Sequence, residues 1–134
     1  MFGKIEHLGI AVEDLEKAEQ TYTLLTGAAP YKREEVASEK VVTSFFMAGG
    51  NKIELLAATG EGSPVAKFIE KRGAGIHHVA FAVEDIWSEM ARLKQEGFTL
   101  LGEEPRRGAD NKWVAFVHPK DCNGVLIELC QEIE

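Results

Sequence analysis

The sequence predicts an α+β fold, two tandem β-α-β-β-β modules that share one curved mixed sheet. Three observations carry this. First, His7-Leu-Gly-Ile-Ala-Val-Glu-Asp-Leu15 returns as His78-Val-Ala-Phe-Ala-Val-Glu-Asp-Ile86, within a stretch that opens at Gly75. Second, Lys52-Ile-Glu-Leu-Leu56 is answered by Leu126-Ile-Glu-Leu-Cys130. Third, apolar alternation and turn residues punctuate both halves in the same order. The 134 residues suit a single domain, 1–134, with module 1 at about 3–57, a linking helix at about 63–73 and module 2 at about 74–132.

The elements follow from local chemistry. Lys4 to Val12 alternates as a half-buried strand, with Leu8, Ile10 and Val12 on one face and His7, Gly9 and Ala11 on the other. The second face is small apart from its histidine, so it should line an open concavity. Asp14 is placed to cap a helix carrying Leu15, Ala18, Tyr22 and Leu25 at helical spacing, and Gly27 to stop it. Pro30 to Lys40 reads as a polar loop with a short edge strand. Val41 to Ala48 is a β-rich run, Gly49-Gly50-Asn51 is hairpin chemistry, and Lys52 to Leu56 returns. Ser63-Pro64 opens the linking helix, with Val65, Phe68 and Ile69 as its apolar face and Gly73 at its end. In the second half, Ile76 to Val83 repeats the first strand, with Val79, Phe81 and Val83 opposite His78, Ala80 and Ala82. Asp85 caps a helix carrying Ile86, Met90 and Leu93, which stops at Gly97. Phe98 to Leu101 and Lys112 to His118 read as strands flanking a basic Pro105–Asn111 loop. His118-Pro119 begins a turn that Asn123-Gly124 ends, and Val125 to Cys130 is the last strand.

Composition narrows the function. A hydrophobic fraction of 45% is ordinary for a globular chain, and no run approaches the ~18 apolar residues of a membrane span. The start, Met-Phe-Gly-Lys-Ile-Glu, is unlike a signal peptide, and Cys122 and Cys130 form no disulfide framework. A cytoplasmic protein with free thiols is expected. The net charge of −7 argues against nucleic acid as a general partner. Positive charge is nonetheless concentrated in Arg106, Arg107, Lys112 and Lys120, and more weakly in Lys67, Lys71 and Arg72, so an anionic substrate is compatible with the chain.

The chemistry lies in the repeat. Each half carries one strand histidine and, further on, one strand glutamate, both opposite the bulky apolar residues. If the modules fold alike, a pseudo-two-fold axis brings His7, Glu54, His78 and Glu128 together. Two imidazoles and two carboxylates suit a divalent transition ion such as Co²⁺, Mn²⁺, Ni²⁺ or Zn²⁺. His77 points away from His78 and is not expected to be a ligand. His118, before a proline, belongs near the site or at the surface, and Cys130 shares the face of Glu128 but is expected to pack.

These paired modules, with His and Glu at these strand positions, resemble the vicinal oxygen chelate (glyoxalase-like) superfamily. Within it, three stretches resemble the methylmalonyl-CoA epimerase family: Ser63-Pro-Val-Ala-Lys-Phe-Ile-Glu-Lys-Arg-Gly-Ala-Gly-Ile-His-His78, Glu103-Glu-Pro-Arg-Arg-Gly-Ala109, and Phe116-Val-His-Pro-Lys-Asp-Cys-Asn-Gly-Val-Leu-Ile-Glu-Leu129. The resemblance implies a curved sheet around a metal cleft, four ligands from one chain, a homodimer and epimerisation at C2 of methylmalonyl-CoA. It implies His7, Glu54, His78 and Glu128 as ligands to a divalent ion, with Co²⁺ favoured, and Glu128 and Glu54 as the acid/base pair. Arg106, Arg107 and Lys120 then become candidates for the CoA phosphates. The chain departs from the family in two places. Some members have glutamine where Glu54 stands, and some carry a further glutamate at about Thr43, on a strand with no carboxylate here. The second acid/base function falls either to Glu54 or to a relaying water. The alternatives are a glyoxalase I acting on a glutathione hemithioacetal and a non-catalytic ligand-binding member of the superfamily.

Overall fold

The computed structural model describes residues 1–134. The chain divides into two compact units, one of His7–His77 and one of His78–Glu134 together with Met1–Glu6. The linking helix therefore belongs with the first half, and the extreme N-terminus with the second.

In the His7–His77 unit the order is β1 (Ile5–Ala11), α1 (Leu15–Thr26), β2 (Lys32–Val36), β3 (Val41–Ala48), β4 (Asn51–Ala58) and α2 (Pro64–Arg72). The strands lie side by side as β2-β3-β4-β1, with β1 parallel to β4 and the other pairs antiparallel. The predicted punctuation holds. Asp14 accepts a hydrogen bond from the Lys17 amide at 3.1 Å, and Gly27 closes α1 at φ 80°. The Ser63 side chain accepts from the Val65 amide at 3.2 Å, with Pro64 at the first helical position. Between β3 and β4, Gly49 takes φ +63° while Gly50 does not. That is the pattern of a two-residue turn needing glycine first.

Alternation sorts this sheet into two faces. Ile10, Val12, Phe46, Leu55 and Ala57 pack under α1 with Leu8, Leu15, Ala18 and Tyr22. Leu25 stays outside this core at 71% exposure, although it shares the predicted spacing. The other face carries His7 and Glu54. Its far end is not open as predicted, because Val65 of α2 packs there on Ala11, Val41 and Leu56.

The second unit contains β5 (Gly75–Ala82, whose first residues lie in the other unit), α3 (Ile86–Gln95), β6 (Arg106–Gly108), β7 (Lys112–Val117) and β8 (Ile127–Glu132). The order is β5-β8-β7-β6, with β5 parallel to β8, so it mirrors the first unit strand for strand. Asp85 caps α3 through the Ser88 amide at 3.2 Å. Val83, Ile86, Met90, Leu93, Ala115, Val117 and Leu129 form its core. The N-terminus joins through Gly3, whose amide donates to the Ala82 carbonyl at 2.8 Å.

Three boundaries differ from the sequence expectation. Phe98–Leu101 is not a strand. Its first amide closes α3 on the Leu93 carbonyl, Asp121 takes the Thr99 amide at 2.8 Å, and only Leu100 bridges to Val117. The basic Pro105–Asn111 segment is not simply a loop, since Arg106–Gly108 forms the edge strand β6 on β7. Gly108 permits this approach, because a Cβ there would meet Val114 Cγ1 at 2.9 Å. Asp110 and Asn111, at φ 62° and 54°, turn the chain back, which these short polar residues tolerate. The last strand starts two residues later than predicted, because the Val125 amide still belongs to the turn and donates to the Cys122 carbonyl at 3.1 Å.

Candidate metal centre

Each unit builds one buried His–Glu pair by the same construction. In the first, Glu54 on β4 is the register partner of Gly9, two residues beyond His7 on the parallel strand β1. Residues two apart share a face, so the carboxylate can lean over the bare Gly9 backbone toward the imidazole. His7 Nδ1 lies 3.2 Å from Glu54 Oε2, and both residues are 5% exposed. In the second unit Glu128 on β8 is the register partner of Ala80, two residues beyond His78 on β5. His78 Nε2 lies 3.2 Å from Glu128 Oε1, again with both side chains buried. On its other side each glutamate has a phenylalanine, Phe45 beside Glu54 and Phe116 beside Glu128. The His78 ring meets Phe116 edge-on, with centroids 5.9 Å apart.

The donor chemistry fits a borderline divalent ion. A buried carboxylate needs a cation or donors around it, and an imidazole beside it supplies a neutral nitrogen ligand. Each unit holds one of each, on the face opposite its own α1 or α3 core.

One residue on this surface escaped the sequence reading. Lys52 is the register partner of His7 and is only 8% exposed. Its Nζ lies 3.9 Å from Glu54 Oε2 and 5.7 Å from the centre of the Phe45 ring. The signal was available, since Lys52 is two residues before Glu54 on one strand. Buried lysine is rare enough to be passed over as surface charge.

The remaining candidates separate by face. His77 packs edge-on against Phe68 at 4.8 Å, and burial pushes its imidazole below the usual value. His118 serves the turn after β7, its Nδ1 accepting from the Lys120 amide at 3.0 Å. There Asp121, holding the Thr99 amide, is kept below the usual carboxylate range. Cys130 is buried, its thiol donating to the Phe81 carbonyl at 3.5 Å, while burial raises the Cys122 thiol. Arg106 is in register with Val114, in turn opposite Cys130, and so shares the face of Glu128. Arg107 is on the opposite face, its guanidinium 5.5 Å from the Trp113 ring. Lys120 is exposed in the turn.

Fold and paired site together define a glyoxalase-type, vicinal oxygen chelate protein. The family model described as "Glyoxalase/Bleomycin resistance protein/Dioxygenase superfamily" matches residues 6–116. The ethylmalonyl-CoA/methylmalonyl-CoA epimerase of Cereibacter sphaeroides is 46% identical over 133 residues, covering 98% of this chain and 99% of that one. The mitochondrial methylmalonyl-CoA epimerase of Homo sapiens is 41% identical, covering 96% of this chain and 74% of its own. A solved methylmalonyl-CoA epimerase in complex with methylmalonyl-CoA and NH4⁺ superposes with a TM-score of 0.91 at 34% identity, over 98% of this chain and 96% of that one. A probable lactoylglutathione lyase of Vibrio cholerae is more distant, at 30% identity over 96% of this chain and 90% of its own. The chain belongs to the methylmalonyl-CoA epimerase family of this superfamily.

Proposed function

We propose that this chain interconverts the (2R) and (2S) forms of methylmalonyl-CoA, with His7, Glu54, His78 and Glu128 as ligands to a divalent metal ion. The observation that carries the reading is the repeated His–Glu pair, built twice across a residue too small to obstruct it. Family membership selects the reaction from among those the fold supports. The name of the Cereibacter sphaeroides relative makes ethylmalonyl-CoA a second candidate substrate.

The proton α to a thioester is weakly acidic, so its removal requires charge stabilisation on the enolate oxygen. A bound divalent ion supplies that as a Lewis acid, with Co²⁺ favoured over Mn²⁺, Ni²⁺ or Zn²⁺. Glu128 takes the C2 proton from one side of the planar enolate, and a proton returned from the other side inverts the centre. β3 carries no carboxylate, and Thr43 on it is buried, which favours Glu54 over a relaying water as the second acid/base group. The burial of each glutamate beside an imidazole excludes bulk water from the groups that move protons. Arg106, on the face of Glu128, is the first candidate for a CoA phosphate. Arg107 and Lys120 are the more peripheral ones. We place the active form as a cytoplasmic homodimer; no helix is long and apolar enough to cross a membrane.

Incubation of metal-loaded protein with methylmalonyl-CoA in D₂O tests the reading. Deuterium should enter C2, and Glu128→Gln should abolish its entry. Absence of wash-in with the native protein refutes the epimerase. Turnover of a glutathione hemithioacetal in its place establishes the glyoxalase reading, and protein that retains no metal on purification and shows neither activity after metal loading supports a ligand-binding role.

A further inference from the structure

The two units repeat each other closely, and Lys52 is where the repetition breaks beside the candidate ligands. It precedes Glu54 by two residues, and the same place before Glu128 holds Leu126. One unit therefore sets a cation next to its His–Glu pair, while the other has a leucine at the equivalent sequence position. The cation is nearly excluded from solvent, stands in register with His7, and has Glu54 Oε2 at 3.9 Å. Burying an ammonium is costly unless an anion accompanies it. In the protein alone Glu54 serves that purpose. A divalent ion held by Glu54 and Glu128 would be neutralised by those two carboxylates, so the charge of Lys52 would come in addition and an arriving anion would balance it. Lys32, whose Nζ lies 4.6 Å from the same Phe45 ring, is a poorer candidate. It is more exposed than Lys52 and sits 3.7 Å from Glu34 Oε1.

We propose that Lys52 binds the free carboxylate of a malonyl-type thioester and so selects acyl groups that carry a second acid. The inference rests on the epimerase reading of the same site. Such a substrate has two oxygen functions near C2, a carboxylate with full charge and a thioester carbonyl with none. The Lys52 ammonium beside Glu54 is the partner that the charged one of the two calls for. A carboxylate bound near Glu54 would have the Lys52 ammonium, 3.9 Å from Glu54 Oε2, within reach of its oxygens.

Malonyl-CoA has a carboxylate where propionyl-CoA has a methyl group and is otherwise the same thioester, so their relative affinities report the contact. Calorimetric titrations use native protein, Lys52→Met, Lys52→Gln and Lys52→Arg at saturating Co²⁺, with bound metal measured in each. In Lys52→Met, malonyl-CoA should weaken by about tenfold or more, while propionyl-CoA stays within about twofold. Lys52→Arg should keep most of the preference, and Lys52→Gln substitutes for the Met variant if that one does not fold. Equal weakening of both ligands, or an unchanged preference for malonyl-CoA, overturns the proposal. Failure of the epimerase reading shows separately, as native protein that exchanges no deuterium at C2.

Discussion

His78 Nε2 lies 3.2 Å from Glu128 Oε1, and the strand residue between them in register is Ala80. The counterpart pair meets at the same 3.2 Å, but through Nδ1 of His7 and across Gly9. Backbone register is thus repeated while ring orientation is not. A His–Glu pair on neighbouring parallel strands needs a small residue between its members, since a larger one fills the space the carboxylate leans through.

Ala80→Val should therefore disrupt the pair without touching a ligand. Ala80 is fully buried, so two added methyl groups must displace the Glu128 carboxylate or the strand. Metal affinity, followed by calorimetry with Co²⁺, should fall about tenfold or more, while the circular dichroism spectrum is retained. Unchanged affinity would show that Glu128 does not need this path to its ligand position.

The basic cluster should divide by sheet face. Arg106→Ala should weaken binding of CoA about three- to tenfold, with a shallower salt dependence. Arg107→Ala should change it by less than about twofold, because Arg107 lies over Trp113 on the α3 side. Reversal of that order would move the phosphate site to the outer face.

Glu19 ties α1 to its sheet. It accepts from Arg33 Nε at 2.9 Å and again from the second guanidinium nitrogen, and from the hydroxyl of fully buried Ser44 at 2.6 Å. Glu19→Leu leaves the Ser44 hydroxyl unsatisfied and should cost about 1–3 kcal/mol in urea denaturation. The hydrogen bond from Arg33 holds the Glu19 carboxyl below its usual value. Its contribution is therefore complete above the unfolded value near 4.5 and is lost as pH falls through the lower folded value. The Leu variant should lose that part of the native acid sensitivity.

His77 has the opposite electrostatic character. Burial favours its neutral form, so the unfolded chain binds a proton first as pH drops below about 6.5. Stability is unaffected by this group above that pH and declines below it. His77→Phe keeps an aromatic ring against Phe68 and should flatten the difference between urea midpoints at pH 7.5 and 5.5, relative to native protein. An identical slope in both proteins would assign the acid response to other groups.

The strands, caps and repeat were legible in the residues because they depend on local rules. Asp14, Ser63 and Asp85 cap through their own neighbours, and alternation alone places His7 and Glu54 opposite the α1 core. The order of the duplicated elements likewise needs only the echo of one half in the other. Pairing across the chain decided the rest. Phe98–Leu101 has strand composition, but Leu93 and Asp121 occupy its first amides, and the less apolar Arg106–Gly108 becomes the edge because Gly108 clears Val114. The faces of Arg106 and Arg107 follow from that register, and so does the place of Lys52 beside His7. A residue's charge is written in the sequence, but its neighbours across strands are set by register, and register depends on partners far along the chain.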